Sequence, residues 1–537
     1  MIGNLAQDRF ATVLFFLLFV LGCLLLSMWT SQDLGEGADE FHTNGTVHDP
    51  KRQSLALTGD FISAAGVLYI TGTVAVAGFD GIAVILATAL SPLLFGRLLA
   101  ARLPAAGGRS LGDVFAHRLP SVPARRAAAF AALVASVPLL VAQLGPVGEI
   151  TAALLGLPGE LGETACTVLL GLLMLTCAAI GGARGATVLQ IGKAVAFVVL
   201  APLLAALVMA HFDWGFGKLT EAASKGSQAG DAYFSFGHLY GGGATGGLDT
   251  VSLVLTIALG AAFIPHAVTR LASSPGPAEA RQAARWTAGT VALLCVSAVF
   301  LGYGIQALIG ADGLNAAGPR GGNNLLLLAD ALDGGGTAGP GALLTFISSS
   351  AFLTVMASAS VLLLTSSAAL VHDTGRTRPD GTWRPSRLPG GVRARLALFG
   401  AGSVSIALAV LGREANPQFW LVLSYTVAAS AVLPALCVGL LWKRCTVAGL
   451  RWAVYGGTAV TVLLLLFSPA VSGAPDALFP HADWQLFPLR TPGILSIPAG
   501  FLLARLGNRL GEPVETEEGE HTETAARRVR QVRQRVF

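Results

Sequence analysis

The sequence predicts an all-α polytopic membrane protein, and three observations carry that prediction. Hydrophobic residues make up 53% of the 537-residue chain and charged residues only 12%, well under the ~25% of a soluble domain. The apolar residues fall in runs of about twenty, the length at which a helix crosses ~30 Å of hydrocarbon. Two of those runs are interrupted near their middles by residues that a helix interior does not favour.

Hydropathy places about thirteen spans. They lie near 10–30, 60–80, 82–101, 127–156, 163–181, 184–211, 248–272, 286–310, 341–371, 394–412, 418–441, 450–471 and 491–508. The first has a long apolar core, Phe10–Trp29, with only Arg9 ahead of it and no small-x-small cleavage site before Thr30. It therefore reads as a retained helix, not a signal peptide.

The second run, Asp60–Gly81, organises the rest. Ser63, Ala64, Ala65 and Gly66 crowd its first half. Gly66 costs ~1 kcal/mol relative to Ala inside a helix, so the unwound turn is expected there. Irregular backbone at membrane depth persists only where protein or a water-filled cavity satisfies it. An interrupted span is the best sequence pointer to a transporter's binding site. No charged residue lies between Phe61 and Phe79, so a cation held there is held by carbonyls and hydroxyls.

Five spans later, 248–272 is interrupted by Gly260 and by Pro265, which precedes His266. Pro removes a backbone donor and kinks a helix. The two interrupted spans head five-span blocks that run in opposite directions, the inverted-repeat layout of many secondary transporters. The domain reading follows: 1–56, a first helix and a cytoplasmic loop; 57–211, the first repeat; 212–247, an outer loop; 248–441, the second repeat; 442–508, two further helices; 509–537, a charged tail.

Alternate loops carry the arginines: Arg102, Arg109, Arg118, Arg125 and Arg126, then Arg270, Arg281 and Arg285, then Arg376 to Arg393, then Lys443, Arg444 and Arg451. Lys/Arg excess marks the cytoplasmic side. The chain is thus expected to cross a cell membrane many times, with its N-terminus outside and its C-terminus inside. The loops 212–248 and 310–341 face outward in this scheme. Their Gly-rich stretches suit solvated linkers, or a lid over a substrate path. In the tail, Arg527 to Arg535 follow an acidic stretch and either attract anionic lipid or support topology.

Chemistry-bearing constellations are few. The six cysteines show no metal-ligand spacing and read as apolar fillers. There is no HExxH, GxSxG or Cys/His cluster, so the chain is not read as an enzyme and no cofactor or nucleic-acid partner is expected. A passive channel is the weaker alternative, because interrupted helices in an inverted repeat suit alternating access. Ionisable residues inside spans mark function by default. Glu149 and Lys193 are such residues, with Lys193 expected to pair with a helix end or to snorkel. Either can serve a proton path or a structural contact. His372–Asp373 closes the ninth span as a gate or a cap.

The stretches GDFISAAGVLYITG, GGRSLGDVFAHRL, VAQLGPVGEI, GGARGATVLQIGKAV, ALGAAFIPHAVTR, GGNN and SSAALVHD occur in order from Gly59 to Asp373. With them the chain resembles the sodium/solute symporter family, in its cation/acetate (monocarboxylate) branch. The resemblance implies a LeuT-like core of two inverted five-helix repeats and uptake of a short-chain monocarboxylate with sodium. It also implies a sodium site between the first and eighth core helices, formed by the carbonyls of Ala65 and Leu68 and by side chains near Thr354, Ala357 and Ser358. Ala357 departs from the hydroxyl that many members carry, which leaves proton coupling or a looser cation site as alternatives. Thr354 and Ser358, four apart, share a helix face. The substrate is expected near the same break, against Gly66, Tyr69, Thr71, Gln143 and Phe263. Half-helix N-termini and the Gln143 amide would receive its carboxylate.

Overall fold

The computed structural model describes residues 2–31, 37–43, 49–157, 159–316, 324–332, 342–375, 388–413, 415–442, 445–474 and 477–511. The arginine-rich tail, Gly321 to Asn323 and the loop 376–387 lie outside the described residues. Every expected span falls on helix, and nine described helices are long and apolar enough to cross a membrane.

The chain opens with α1 (Ile2–Ser31) and the short α2 (Ala38–Thr43). The first interrupted span follows as two helices, α3 (Pro50–Phe61) and α4 (Ala64–Ala77). Asp49 caps α3 through the Lys51 N–H, and Pro50 occupies its first turn, where no donor is needed. Ile62 and Ser63 are extended between the two helices, and the Ser63 Oγ accepts from the Gly66 N–H at 2.9 Å. That cap, worth ~1 kcal/mol, corrects the expected register. The unwound turn is at Ile62–Ser63, and Gly66 lies inside the first turn of α4.

One residue, Gly78, joins α4 to α5 (Phe79–Leu99). Its φ is +43°, and a Cβ there would stand 2.3 Å from the Tyr233 carbonyl oxygen, so only glycine fits. After α6 (Leu111–Ala116) come α7 (Val122–Leu155) and α8 (Glu160–His211). The latter is divided at Gly182, whose φ of +55° marks the boundary between the two expected spans.

The loop after α8 is folded and anchored to the helices, and is not a loose linker. It holds α9 (Phe216–Gly226). Tyr233 is fully buried, and its hydroxyl donates to the Val74 carbonyl at 2.8 Å. Asp80, also fully buried, accepts from the N–H groups of Gly237 (2.9 Å) and Leu239 (2.8 Å).

The second interrupted span is α10 (Gly243–Gly260) and α11 (Pro265–Ala272), with Ile264 extended before Pro265. The remaining helices are α12 (Pro277–Ala316), bent at Gly310, α13 (Asn324–Leu332) and α14 (Ala342–Ala368), which ends in a wide turn through Asp373. Then come α15 (Gly390–Leu411), α16 (Pro417–Val427) and its continuation α17 (Leu433–Leu436). The described chain closes with α18 (Val447–Arg451), α19 (Gly457–Leu466) and α20 (Gly493–Leu510).

α14 packs against α8 and α7, while α3 packs against α8 and α12. The spans Ile347–Asp373 and Pro417–Leu441 are the most enclosed, and Gly390–Leu411 lies at the edge. Leu86, Val199, Leu411 and Leu502 are exposed on the outside of the bundle, as lipid-facing side chains are.

Candidate transport site

The break in the first interrupted span sets two unlike ends against each other. α3 brings its C-terminal, carbonyl-rich end to Ile62, and α4 starts with its N–H-rich end at Ala64. The first attracts cations and the second anions.

The carbonyl end is occupied from within the protein. Lys193, on the second half of α8, is fully buried. Its Nζ donates to the Ile62 carbonyl at 2.7 Å and to the Ser358 Oγ of α14 at 3.0 Å. One helical turn earlier on the same face, the Gln190 amide donates to the Ala357 carbonyl at 3.4 Å. Through this pair α8 ties the broken helix to α14. Lys193 therefore pairs with a helix end and does not snorkel.

Below it lies an ion pair that the sequence did not single out. Arg270 of α11 holds Asp60 of α3 through two nitrogens of one guanidinium edge, Nε to Oδ2 and Nη2 to Oδ1, the latter at 3.3 Å. Gln53 donates to the Arg270 carbonyl at 2.9 Å. His266 is buried against the Asp60 backbone.

The other end of the break opens on a cavity of about 110 Å³, room for several waters at ~10–15 Å³ each. Ser63, Gly66, Thr71, Thr88, Gln143, Ser350 and Thr354 supply its polar or small-residue wall, and most of the rest is apolar. That balance suits a small, partly apolar ligand fixed by few polar groups. Thr71, Gln143 and Thr354 are fully buried.

Of the residues expected around substrate, Gly66, Thr71 and Gln143 meet at this cavity. Tyr69 and Phe263 do not line it. Tyr69 is packed in the core with α10 and α14, and Phe263 is fully buried with its ring edge-on to Phe95 at 6.3 Å. Of the residues expected around the cation, Thr354 lines the cavity and Ser358 meets Lys193. Ala357 contributes only its carbonyl, to Gln190. Ala65 and Leu68 lie within the helical run of α4, past the extended Ile62–Ser63 turn.

At the opposite end of α14, Asp373 is buried and accepts from Ser110 Oγ (2.8 Å), Gly112 N–H (3.1 Å) and Arg125 Nη1 (3.2 Å). Arg125 also binds Asp113 at 2.9 Å, and Arg109 binds Asp113 at 3.0 Å. This network latches α14 to α6 and α7. Burial alone would push the Asp113 carboxyl up, but Arg109 and then Arg125 outweigh it and hold the carboxyl below its ordinary value. The same contacts raise Arg109.

Two interrupted helices in opposed blocks, with a cavity at one break, define a secondary transporter of small solutes. The sequence profile of the Sodium:solute symporter family matches residues 49–457, and the chain belongs to that family. It is 31% identical over 515 residues to a monocarboxylic acid transporter of Corynebacterium glutamicum, covering 93% of this chain and 91% of the relative. It is 30% identical to the uncharacterized symporter YwcA of Bacillus subtilis, covering 94% and 95%. Among solved structures it superposes on a substrate-bound, outward-open Na+-coupled sialic acid symporter with a TM-score of 0.67 at 16% identity, covering 95% of this chain and 99% of the other. It also superposes on the nucleobase-cation-symport-1 transporter Mhp1, in a closed conformation with bromovinylhydantoin bound, at a TM-score of 0.52 and 15% identity, covering 90% and 97%. The fold is thus that of the inverted-repeat symporters, and the protein is a transporter, not an enzyme.

Proposed function

We propose that this chain takes up a short-chain monocarboxylate such as acetate together with a cation moving down its gradient, by alternating access. In this reading the arginine-rich loops are cytoplasmic and the N-terminus faces outward. The cavity beside the start of α4 supports it most directly. The Gln143 amide and the N–H-rich start of α4 face one carboxylate, and apolar walls accept a short alkyl group. A sugar would need partners for hydroxyls on every side, whereas most of this wall is apolar. The monocarboxylic acid transporter relative points the same way.

Sodium is the cation that the family's description names. A proton is the second reading, favoured by the lysine already seated against Ile62 and Ser358. Uptake of labelled acetate and pyruvate into vesicles, with sodium and proton gradients imposed separately, tests the function. Propionate and pyruvate should displace acetate. Displacement by glucose or proline, with none by propionate or pyruvate, would overturn the assignment.

A further inference from the structure

We propose that the ammonium group of Lys193 is this symporter's coupling cation, and that the proton it carries takes the place of a sodium ion. The inference deepens the symporter reading above and rests on it. A sodium ion between the broken helix and α14 would need the Ser358 hydroxyl and a carbonyl of the break. Both are already bound to one ammonium, at 3.0 Å and 2.7 Å. An ion cannot share those oxygens without displacing it.

The surrounding charges explain why such a lysine would respond to substrate. From α3 it faces Asp60, from α11 Arg270 and His266, and from α14 the hydroxyl of Ser358. Asp60 and Arg270 are paired with each other, so Arg270 offsets part of the attraction of Asp60. The groups that the ammonium binds directly are dipoles: the Ile62 carbonyl, at the C-terminal end of α3, and the Ser358 hydroxyl. A buried charge without a counter-ion is costly. A carboxylate entering the cavity at Ser63, across the break, supplies the missing negative charge. Protonation of Lys193 and substrate binding therefore favour each other, and by linkage each strengthens the other by the same factor.

The proton is released toward the far side. There, Gln53, Thr187, His266 and Arg270 line a second cavity of about 90 Å³, again room for several waters at ~10–15 Å³ each. In the release step one ammonium N–H bond breaks and the proton passes toward that cavity, which the lysine itself does not line, by way of His266, which faces the lysine and lines the cavity, leaving a neutral amine. The amine regains a proton from the substrate side with the next carboxylate. Arginine cannot perform this step, because its guanidinium stays protonated.

Two readouts on the purified full chain test the proposal. The first needs no substrate: the melting temperature in NaCl against choline chloride at equal ionic strength. The wild-type protein should be indifferent to sodium, and a sodium-dependent rise would overturn the proposal. The second is accumulation of labelled pyruvate in proteoliposomes, with the signal of protein-free vesicles subtracted because weak acids cross lipid unaided. An inward proton gradient without sodium should drive accumulation, and a sodium gradient at equal pH should not. Lys193→Arg, monodisperse and melting near wild type, should lose proton-driven accumulation. Retained accumulation in that variant, or sodium-driven accumulation in the wild type, would refute it. If no monocarboxylate is carried under either gradient, the substrate reading falls, and the melting experiment still judges the lysine.

Discussion

Gly59 on α3 lies so close to Gln190 on α8 that a Cβ on the glycine would stand 2.6 Å from the Gln190 carbonyl oxygen. The contact sets how near α3 comes to α8, and hence whether Lys193, one turn beyond Gln190, reaches Ile62. Overpacking a tight contact costs ~1–3 kcal/mol. Gly59→Val should lower the melting temperature and reduce uptake severely, because the wedge also separates Lys193 from its carbonyl. A control at Gly192 inside α8, where an added Cβ meets nothing within 4 Å, should leave uptake unchanged and raise the melting temperature slightly when changed to Ala, since Ala favours a helix interior by ~1 kcal/mol over Gly. Uptake and melting measured on the two variants side by side decide the point.

The second prediction concerns the folded loop after α8. Asp80 caps two N–H groups of the 237–239 segment from a fully buried position. Asp80→Leu would leave both donors unsatisfied, at ~1–3 kcal/mol each if they stay buried. The loop should then detach while the helices hold. Limited proteolysis should cut between 212 and 247 faster in this variant, with little change in helical content by circular dichroism. Equal cleavage in wild type and variant would show that Tyr233 alone anchors the loop.

The third separates cavity residues from their neighbours. Gln143→Leu keeps approximate volume and removes the amide from the cavity wall. A hydrogen bond to a charged group contributes ~1.5–3 kcal/mol, so the monocarboxylate concentration for half-maximal uptake should rise about tenfold or more. Phe263→Leu, away from the cavity and against Phe95, should lower stability and leave that concentration unchanged. The reverse pattern would move the substrate site to the second break.

Much of this arrangement was legible in the sequence, and the misses share one cause. Pro265 fixed the second break, because a missing N–H and a ring clash act locally. Gly66 drew attention to the first break but misplaced it. The start of α4 is set by the Ser63 hydroxyl, a contact between side chain and backbone that ranks no residue as unusual. Tyr69 and Phe263 were near the breaks in sequence but faced the core, since nearness along a helix does not fix the face. Lys193 stood out as an intramembrane charge. Its partner Ile62 is 131 positions away, an unremarkable residue that only the packing of α3 on α8 brings to it. Asp60 and Arg270 were hidden for the same reason.

The last prediction concerns the latch at the far end of α14, where Asp113 joins Arg109 and Arg125. Asp113 is held below the ordinary carboxylate value of 3.8 in the folded protein. The unfolded chain therefore takes up its proton first as pH falls. Its contribution to stability is complete well above that value and is lost progressively as pH falls past it toward the lower folded value. Asp113→Asn removes the contribution at every pH. The melting temperatures of wild type and variant should thus differ by a constant amount at neutral pH and converge below pH 3.8. Arg109 is half exposed, at 47%, so its share should shrink in salt, while the more enclosed Arg125 contact persists. A gap between the two proteins that stays constant through the acid range would show that Asp113 acts through packing and not through its charge.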